Sequence, residues 1–338
     1  MRETFDRAAR LLGSADCWYR IAGHPVRIRF AGTALQSLLA PALEHLATEP
    51  VPGRALTLCV WDIESVRGQV PAPPWRLDGE AHGPELRVYH DGRVQAAFDV
   101  ATGTLSVLDR ADRLAWYCVR DPRELPGWEF GTPFKLILHW ALRDHGRQLV
   151  HAAAVGRADG GVLLVGKGGA GKSTTALSCL GSELRYAADD YCMLSADPMP
   201  YAHSLYNSAK VYAQELPRFP ALAGARCRLD APGMDKALLF LHPHVGNCVT
   251  AGFPIRAVLV PSVAGGAGTT ACAVPASVAL RALAPSTMFQ VIGPDPSTLA
   301  VLAAYVKRLP CYALRLGPRL AEIPHVITDV LARVPQPA

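Results

Sequence analysis

The sequence is short of charge and of aromatic side chains: 19% of its residues are Asp, Glu, Lys or Arg, and 7% are Phe, Trp or Tyr. A disordered chain carries more charge and less apolar material. Here half the residues are hydrophobic, which supplies a packed core. Paired cysteines are missing as well. The nine thiols are scattered singly, with no CxxC pair and no Cys/His cluster at zinc spacing. That argues against a disulfide framework and a zinc ribbon, and it suits a reducing compartment. Met1 to Asp6 lacks the apolar run of a signal peptide. The longest charge-free stretch, 257–280, is broken by Pro261, Pro275 and a glycine turn at 265–268, so it reads as strand, loop and strand rather than a membrane span. There is no internal repeat. These absences predict a soluble, cytoplasmic protein with no membrane partner.

The two signs of charge balance in the first part, and acidic residues become scarce later. The chain carries 34 basic and 29 acidic side chains. From residue 201 onward there are 12 basic and 6 acidic ones, which leaves 22 and 23 for the first 200. The later surplus favours an anionic ligand but is too dilute for a nucleic-acid tract.

At about 150 residues per domain, 338 residues allow roughly two domains. Residues 17–120 read as short strands: a hairpin of Cys17–Ile21 with Val26–Phe30, a helical stretch at 34–46, a strand at 56–63, and a proline-rich loop at 71–74. An antiparallel meander over 86–108 follows, with turns at Asp91-Gly92 and Thr102-Gly103. The break falls near Pro122–Pro133, giving an N-terminal α+β domain over 1–125 and a second domain over 126–338. Thr132 and Pro133 are suited to start a helix running to about Asp144. Beyond it the pattern becomes α/β. Strands are expected at 149–155, 161–165, 185–188, 237–241, 255–260 and 312–316, and helices at 172–180, 277–283, 297–309 and 320–334. Ser286-Thr287 follows Ala284-Pro285 and reads as a helix start without chemistry.

The sharpest motif is Gly166-Lys167-Gly168-Gly169-Ala170-Gly171-Lys172-Ser173, which fits G-x-x-x-x-G-K-[ST] between an apolar strand and a helix. Glycines let several backbone N–H groups converge on phosphate oxygens beside the helix's positive end. Lys172 adds a cation for the β- and γ-phosphates, and Ser173 offers a hydroxyl to Mg²⁺. Lys167 is either a phosphate contact or a solvent-facing side chain. ATP or GTP binding is the firmest expectation. Asp189-Asp190 follows a short strand 16 residues after Ser173, where one acid can hold Mg²⁺ and the other accept a proton from an attacking hydroxyl. His151 stands 15 residues before Gly166, at the head of a strand.

In that order and spacing, His151, the loop 166–173 and Asp189-Asp190 resemble the HPr kinase/phosphorylase superfamily, whose nucleotide fold is related to that of ATP-dependent phosphoenolpyruvate carboxykinase. The match covers about residues 149–192. The resemblance implies a P-loop kinase domain of that type, with ATP and Mg²⁺ as cofactors. It implies Asp189 as general base, His151 close enough to tune that base, Asp190 and Ser173 on Mg²⁺, and Lys172 with the loop amides on the phosphates. It also carries the expectation of a homo-oligomer, since members of the superfamily often assemble. Thr174, the loop's last expected contact, stands where the family often has Glu. The family's Glu-Ile-Arg-Gly signature is absent, with Ser204–Lys210 in its approximate place. These departures resemble the divergent HPr-kinase-like proteins found beside bacterial peptide-modification genes, including kinases of lasso-peptide precursors, and point away from HPr as the acceptor.

The function expected is transfer of the γ-phosphoryl group to a hydroxyl, foremost a Ser of a peptide or small protein. A kinase of a free small-molecule hydroxyl and a nucleotide-gated binding module without catalysis stay open, with a carboxykinase-like reaction more distant. Lys210 is a candidate phosphate or substrate contact, Asp235-Lys236 an exposed turn or an added charge at the site, and Arg226 and Arg228 surface residues or acid-binding ones. The N-terminal domain is the candidate for substrate recognition.

Overall fold

The fold was obtained as a computed structural model, which describes residues 1–68, 86–225, 227–228, 233–263, 265–288 and 296–335. The proline-rich loop at 71–74 and Arg226 lie outside the described residues. The chain divides into two compact units, 1–145 with 230–234, and 146–229 with 235–338.

The first unit contains α1 (Arg2–Leu12), β1 (Ser14–Ile21), β2 (His24–Ala31), α2 (Ala34–Leu39), β3 (Leu56–Asp62), β4 (Leu86–His90), β5 (Val94–Asp99), β6 (Thr104–Asp109), β7 (Leu114–Val119), α3 (Gly127–Gly131) and α4 (Lys135–Arg143). Its seven-stranded sheet runs β1-β2-β3-β7-β6-β5-β4. The β1–β2 hairpin turns through Ala22 and Gly23, both at positive φ (48° and 86°), the conformation a two-residue hairpin loop requires. The meander of β4 to β7 is antiparallel as expected, but β3 is parallel to both β2 and β7, so the sheet is mixed.

Two expectations for this unit are corrected. The helical stretch at 34–46 breaks into α2 and a 3₁₀ turn at Ala40–Leu46, because Pro41 has no N–H to continue the helix. The helix expected to start at Thr132 starts at Lys135, after Phe134 in the left-handed region (φ 59°). Thr132 instead donates its hydroxyl to the Trp128 carbonyl at 2.9 Å and closes α3. By internal contacts the chain divides after His145, and α4 packs on β6.

The second unit contains β8 (Gln148–Val150), β9 (Ala153–Arg157), β10 (Gly160–Leu164), α5 (Lys172–Ser178), β11 (Arg185–Ala188), β12 (Cys192–Ser195), β13 (Tyr201–Ser204), β14 (Ser208–Val211), β15 (Cys227–Arg228), β16 (Ala237–Phe240), α6 (His242–Val245), β17 (Gly252–Val263), β18 (Thr270–Val274), α7 (Ala276–Met288), α8 (Pro296–Lys307), β19 (Cys311–Leu316) and α9 (Glu322–Arg333). A nine-stranded sheet follows the path β11-β9-β10-β17-β13-β12-β8, with β19 on β17 and β18 on β19. A separate three-stranded sheet runs β14-β16-β15, so the strand expected at 237–241 lies outside the main sheet.

Alternation along β10 explains why both faces of the large sheet are covered. Val162 and Leu164 pack with α5 and α9 through Leu177, Ile323 and Ile327. Leu163 and Val165 pack on the other face with α7 and α8 through Leu283, Leu302 and Val306. Both units are thus mixed α/β structures.

The strand expected at 149–155 is two strands. β8 pairs with β12, while β9 pairs with β10 and β11, and the chain crosses between these positions at His151 and Ala152. Ser286 and Thr287 end α7 rather than start a helix. All nine cysteines are free thiols. Among the described residues, no helix is long and apolar enough to cross a membrane.

Candidate functional site

Strand direction assembles the site. β9 is antiparallel to both β10 and β11, so β10 and β11 run the same way. The glycine-rich loop after β10, the acid pair after β11, and His151 just before β9 therefore meet at one edge of the sheet. Open α/β sheets collect ligands at the carboxyl ends of their strands.

The loop spans Gly166 to Gly171, and α5 begins at Lys172. Gly171 has φ 103°, and a Cβ there would come within 2.4 Å of Leu316 Cδ1, so the loop's last turn requires glycine. Lys167, Gly168 and Gly169 are exposed, Ala170 and Ser173 are half-buried, and Thr174 points to a similar environment on α5. Lys172 is only 6% exposed; its ammonium donates to the Gly166 carbonyl at 2.7 Å and to that of Lys167 at 3.4 Å. Burial lowers its proton affinity, and Lys236 nearby adds to that, while Asp189 and Asp190 oppose it.

The two acids differ in their surroundings. Asp189 is 2% exposed; the Ser173 hydroxyl and the Lys210 amide lie near its carboxylate, but neither oxygen has a partner in full hydrogen-bonding geometry among the described residues. Burial and the adjacent Asp190 push its pKa up to about 7, against the pull of Ser173, Lys172 and the Lys210 amide. Asp190 is ion-paired with Lys210, Nζ to Oδ2 2.7 Å. Its burial would raise its pKa, but Lys210, with smaller contributions from His151 and Lys172, outweighs burial and keeps it low. The hydroxyl of Ser173 thus lies beside Asp189 rather than Asp190.

Several supports escaped the sequence. The His151 amide donates to the Thr287 hydroxyl at 3.2 Å, which fixes the chain crossing on α7. The His151 ring lies 5.4 Å from that of Tyr191. Tyr186 donates its hydroxyl to the Ser208 carbonyl at 2.6 Å, tying β14 to β11 and bringing Lys210 to Asp190. Lys236 stands 5.0 Å over the Tyr212 ring, one rung beyond the β14–β16 pairing. Of these, only His151, Lys210 and Lys236 carry a sequence signal. Arg228 lies on β15.

Hydroxyl and carboxylate oxygens are suited to Mg²⁺, and a buried carboxylate with two unpartnered oxygens fits a cation. Among the described residues no three acidic, His or Cys side chains form a cage by themselves. Mg²⁺ commonly completes its shell with waters and phosphate oxygens, so one or two carboxylates and a hydroxyl suffice.

No family model and no curated protein matches the chain. Among solved structures it is similar to the Hpr(Ser) kinase/phosphatase from Coxiella burnetii, with a TM-score of 0.32 and 10% identity over 55% of this chain and 92% of that one.

Proposed function

We propose that the second unit is an ATP- and Mg²⁺-dependent phosphotransferase that moves the γ-phosphoryl group to a hydroxyl, foremost a Ser of a peptide or small protein. The observation that carries this is the convergence of a glycine-rich loop, its buried Lys172 and a buried, unpartnered Asp189 at one sheet edge. A structural turn has no use for that acid.

Lys172 would exchange its contacts with the Gly166 and Lys167 carbonyls for phosphate oxygens, and the loop amides would hold the same oxygens. Asp189 would accept the hydroxyl proton as the acceptor oxygen attacks the γ-phosphorus and the bond to the β-bridging oxygen breaks, releasing ADP. A proton affinity held near neutrality suits that role. Asp190, oriented by Lys210, and Ser173 would hold Mg²⁺, which when bound would neutralise phosphate charge. His151 would act on the pair through its charge. The closeness of Ser173 to Asp189 favours one alternative, in which Asp189 holds the metal and Asp190 takes the proton.

The test measures γ-phosphoryl transfer from labelled ATP to a panel of Ser-containing peptides and free hydroxyl compounds. Wild type should label an acceptor, and Lys172→Met should lose nucleotide binding by at least about 30-fold, as for a buried charge contact worth 2 kcal/mol or more. Asp189→Asn should bind nucleotide and lose transfer by about 10²- to 10⁴-fold, while Asp190→Asn should raise the Mg²⁺ concentration needed for half-maximal rate. A raised Mg²⁺ requirement in Asp189→Asn instead exchanges the two roles. Nucleotide binding with no transfer to any acceptor would reduce the unit to a binding module.

A further inference from the structure

The first unit holds a cavity of about 190 Å³ that the phosphotransfer chemistry does not use. Its floor is apolar and buried, with Val26 of β2, Leu108 of β6 and Leu142 of α4. One wall is flat: the His24 and His145 rings stack with centroids 4.3 Å apart and planes at 26°. Two arginines line the cavity, and they are not equivalent. Arg110 is neutralised by Asp144 and also donates to Gln95. Arg113 has no ion pair and no side-chain hydrogen bond among the described residues. Its backbone is fixed in the β6–β7 turn, where its carbonyl accepts the Thr57 amide at 2.9 Å and its φ of 50° is strained for a side-chain-bearing residue. A cation with no ion pair among the described residues therefore lines a small, mostly apolar cavity.

We propose that this cavity binds a carboxylate carried on a small apolar group, with Arg113 taking the carboxylate and the floor taking the apolar part. Size limits the ligand. An apolar cavity of about 150 Å³ holds benzene, so this one takes a single leucine- or phenyl-sized group and no nucleoside. Charge limits it further, because one free guanidinium matches one planar carboxylate through two parallel hydrogen bonds. Such a group is either a free acid or the last residue of a peptide. The proposal is independent of the phosphotransfer reading, since binding here needs no nucleotide.

Isothermal titration of the full chain, without nucleotide, tests it with three probes: N-acetyl-leucine, N-acetyl-leucinamide, and a tetrapeptide ending in leucine with a free carboxylate. Both acids should bind saturably at one site, and the amide should not. Arg113→Gln should weaken the acids by about tenfold or more, the scale of a charged hydrogen bond. Arg113→Gly relieves the left-handed backbone and so folds without strain; it should show the same loss. Tighter binding of the tetrapeptide than of N-acetyl-leucine assigns the cavity to peptide C-termini, and equal binding assigns it to free acids. The proposal is overturned if no acid binds, if acid and amide bind alike, or if both Arg113 variants bind as wild type does.

Discussion

Acidic side chains follow strands in both units, and the two units treat them in opposite ways. In the first unit Asp91 accepts the Val94 amide at 2.7 Å, the Arg93 amide at 3.0 Å and the Tyr89 hydroxyl at 3.0 Å. Asp109, the last residue of β6, accepts the Arg93 guanidinium at 2.7 Å and the amides of Ala111 and Asp112. Asp121 is held by the Arg123 guanidinium and amide. The Val94 amide for Asp91, Arg93 for Asp109 and Arg123 for Asp121 are the main reasons that all three stay below the ordinary carboxylate range. Each carboxylate is satisfied by amides of its own turn and by nearby side chains. After β11, Asp189 is buried with neither oxygen in full hydrogen-bonding geometry among the described residues, and its proton affinity moves the other way. An acid that stabilises a fold is satisfied by that fold, whereas an acid left unsatisfied in the interior is kept for a ligand or a proton.

The sharpest way to break this contrast is Asp189→Asn. Transfer should fall by about 10²- to 10⁴-fold, the range for loss of a general base. Stability should not fall with it. An acid whose folded pKa is raised contributes stability that is lost as pH rises through that pKa, about 7 here, so at pH 8 the charged Asp189 is a burden. Thermal melts at pH 8 should show the Asn variant as stable as wild type or more so. A variant that is inactive because it is unfolded at 25 °C would make Asp189 a structural acid and erase the contrast.

Among the described residues of the first unit, His139 resembles Asp189 as a buried ionisable group with an unmatched polar atom, and it separates orphaned from functional. His139 of α4 is 3% exposed with Nδ1 unmatched among the described residues. Burial, with the charges of Arg143 and Arg110, pushes its pKa down to about 4. The depressed value means the full stability is present above the unfolded pKa of 6.5 and is lost as pH falls toward 4. The loss is about 3 kcal/mol at pH 4, from 1.36 kcal/mol per unit. Urea unfolding between pH 7 and 4 should show this slope, and His139→Leu should flatten it while leaving phosphoryl transfer at pH 7.5 unchanged. An unchanged slope would assign the acid sensitivity to other groups.

What the sequence reveals follows the same divide between local and non-local causes. The loop 166–173 is legible because its glycines and Lys172 are neighbours whose conformations follow from their own chemistry. The order of His151, the loop and the acid pair is legible too, but their meeting depends on β9 running against both β10 and β11, which no local pattern encodes. The crossing at His151 hides inside the apolar run 149–155, since β8 and β9 are both buried and read as one strand. β12 and β14 have four residues each, too few for periodicity to show, and so the β14 route that carries Lys210 to Asp190 is invisible beforehand. In the first unit the turns at Asp91-Gly92 and Thr102-Gly103 announce the meander, whereas the parallel pairing of β3 with β7 joins residues more than fifty positions apart.

The smallest effect expected belongs to the acid best served by its own turn. Asp109→Asn keeps an oxygen for the Ala111 and Asp112 amides and removes only the charge opposite Arg93. Arg93 is 59% exposed, so solvent screens the pair and the loss should be seen only as a small fall in the urea midpoint. Raising the salt concentration should shrink the difference between wild type and variant, because the lost interaction is an exposed ion pair. Phosphoryl transfer should be unaffected. If Asp109→Asn instead reduced transfer as Asp189→Asn does, acids satisfied by their own turns would no longer be distinguishable from the acid the second unit leaves unmatched, and partner counting at strand ends would lose its value as a guide to the site.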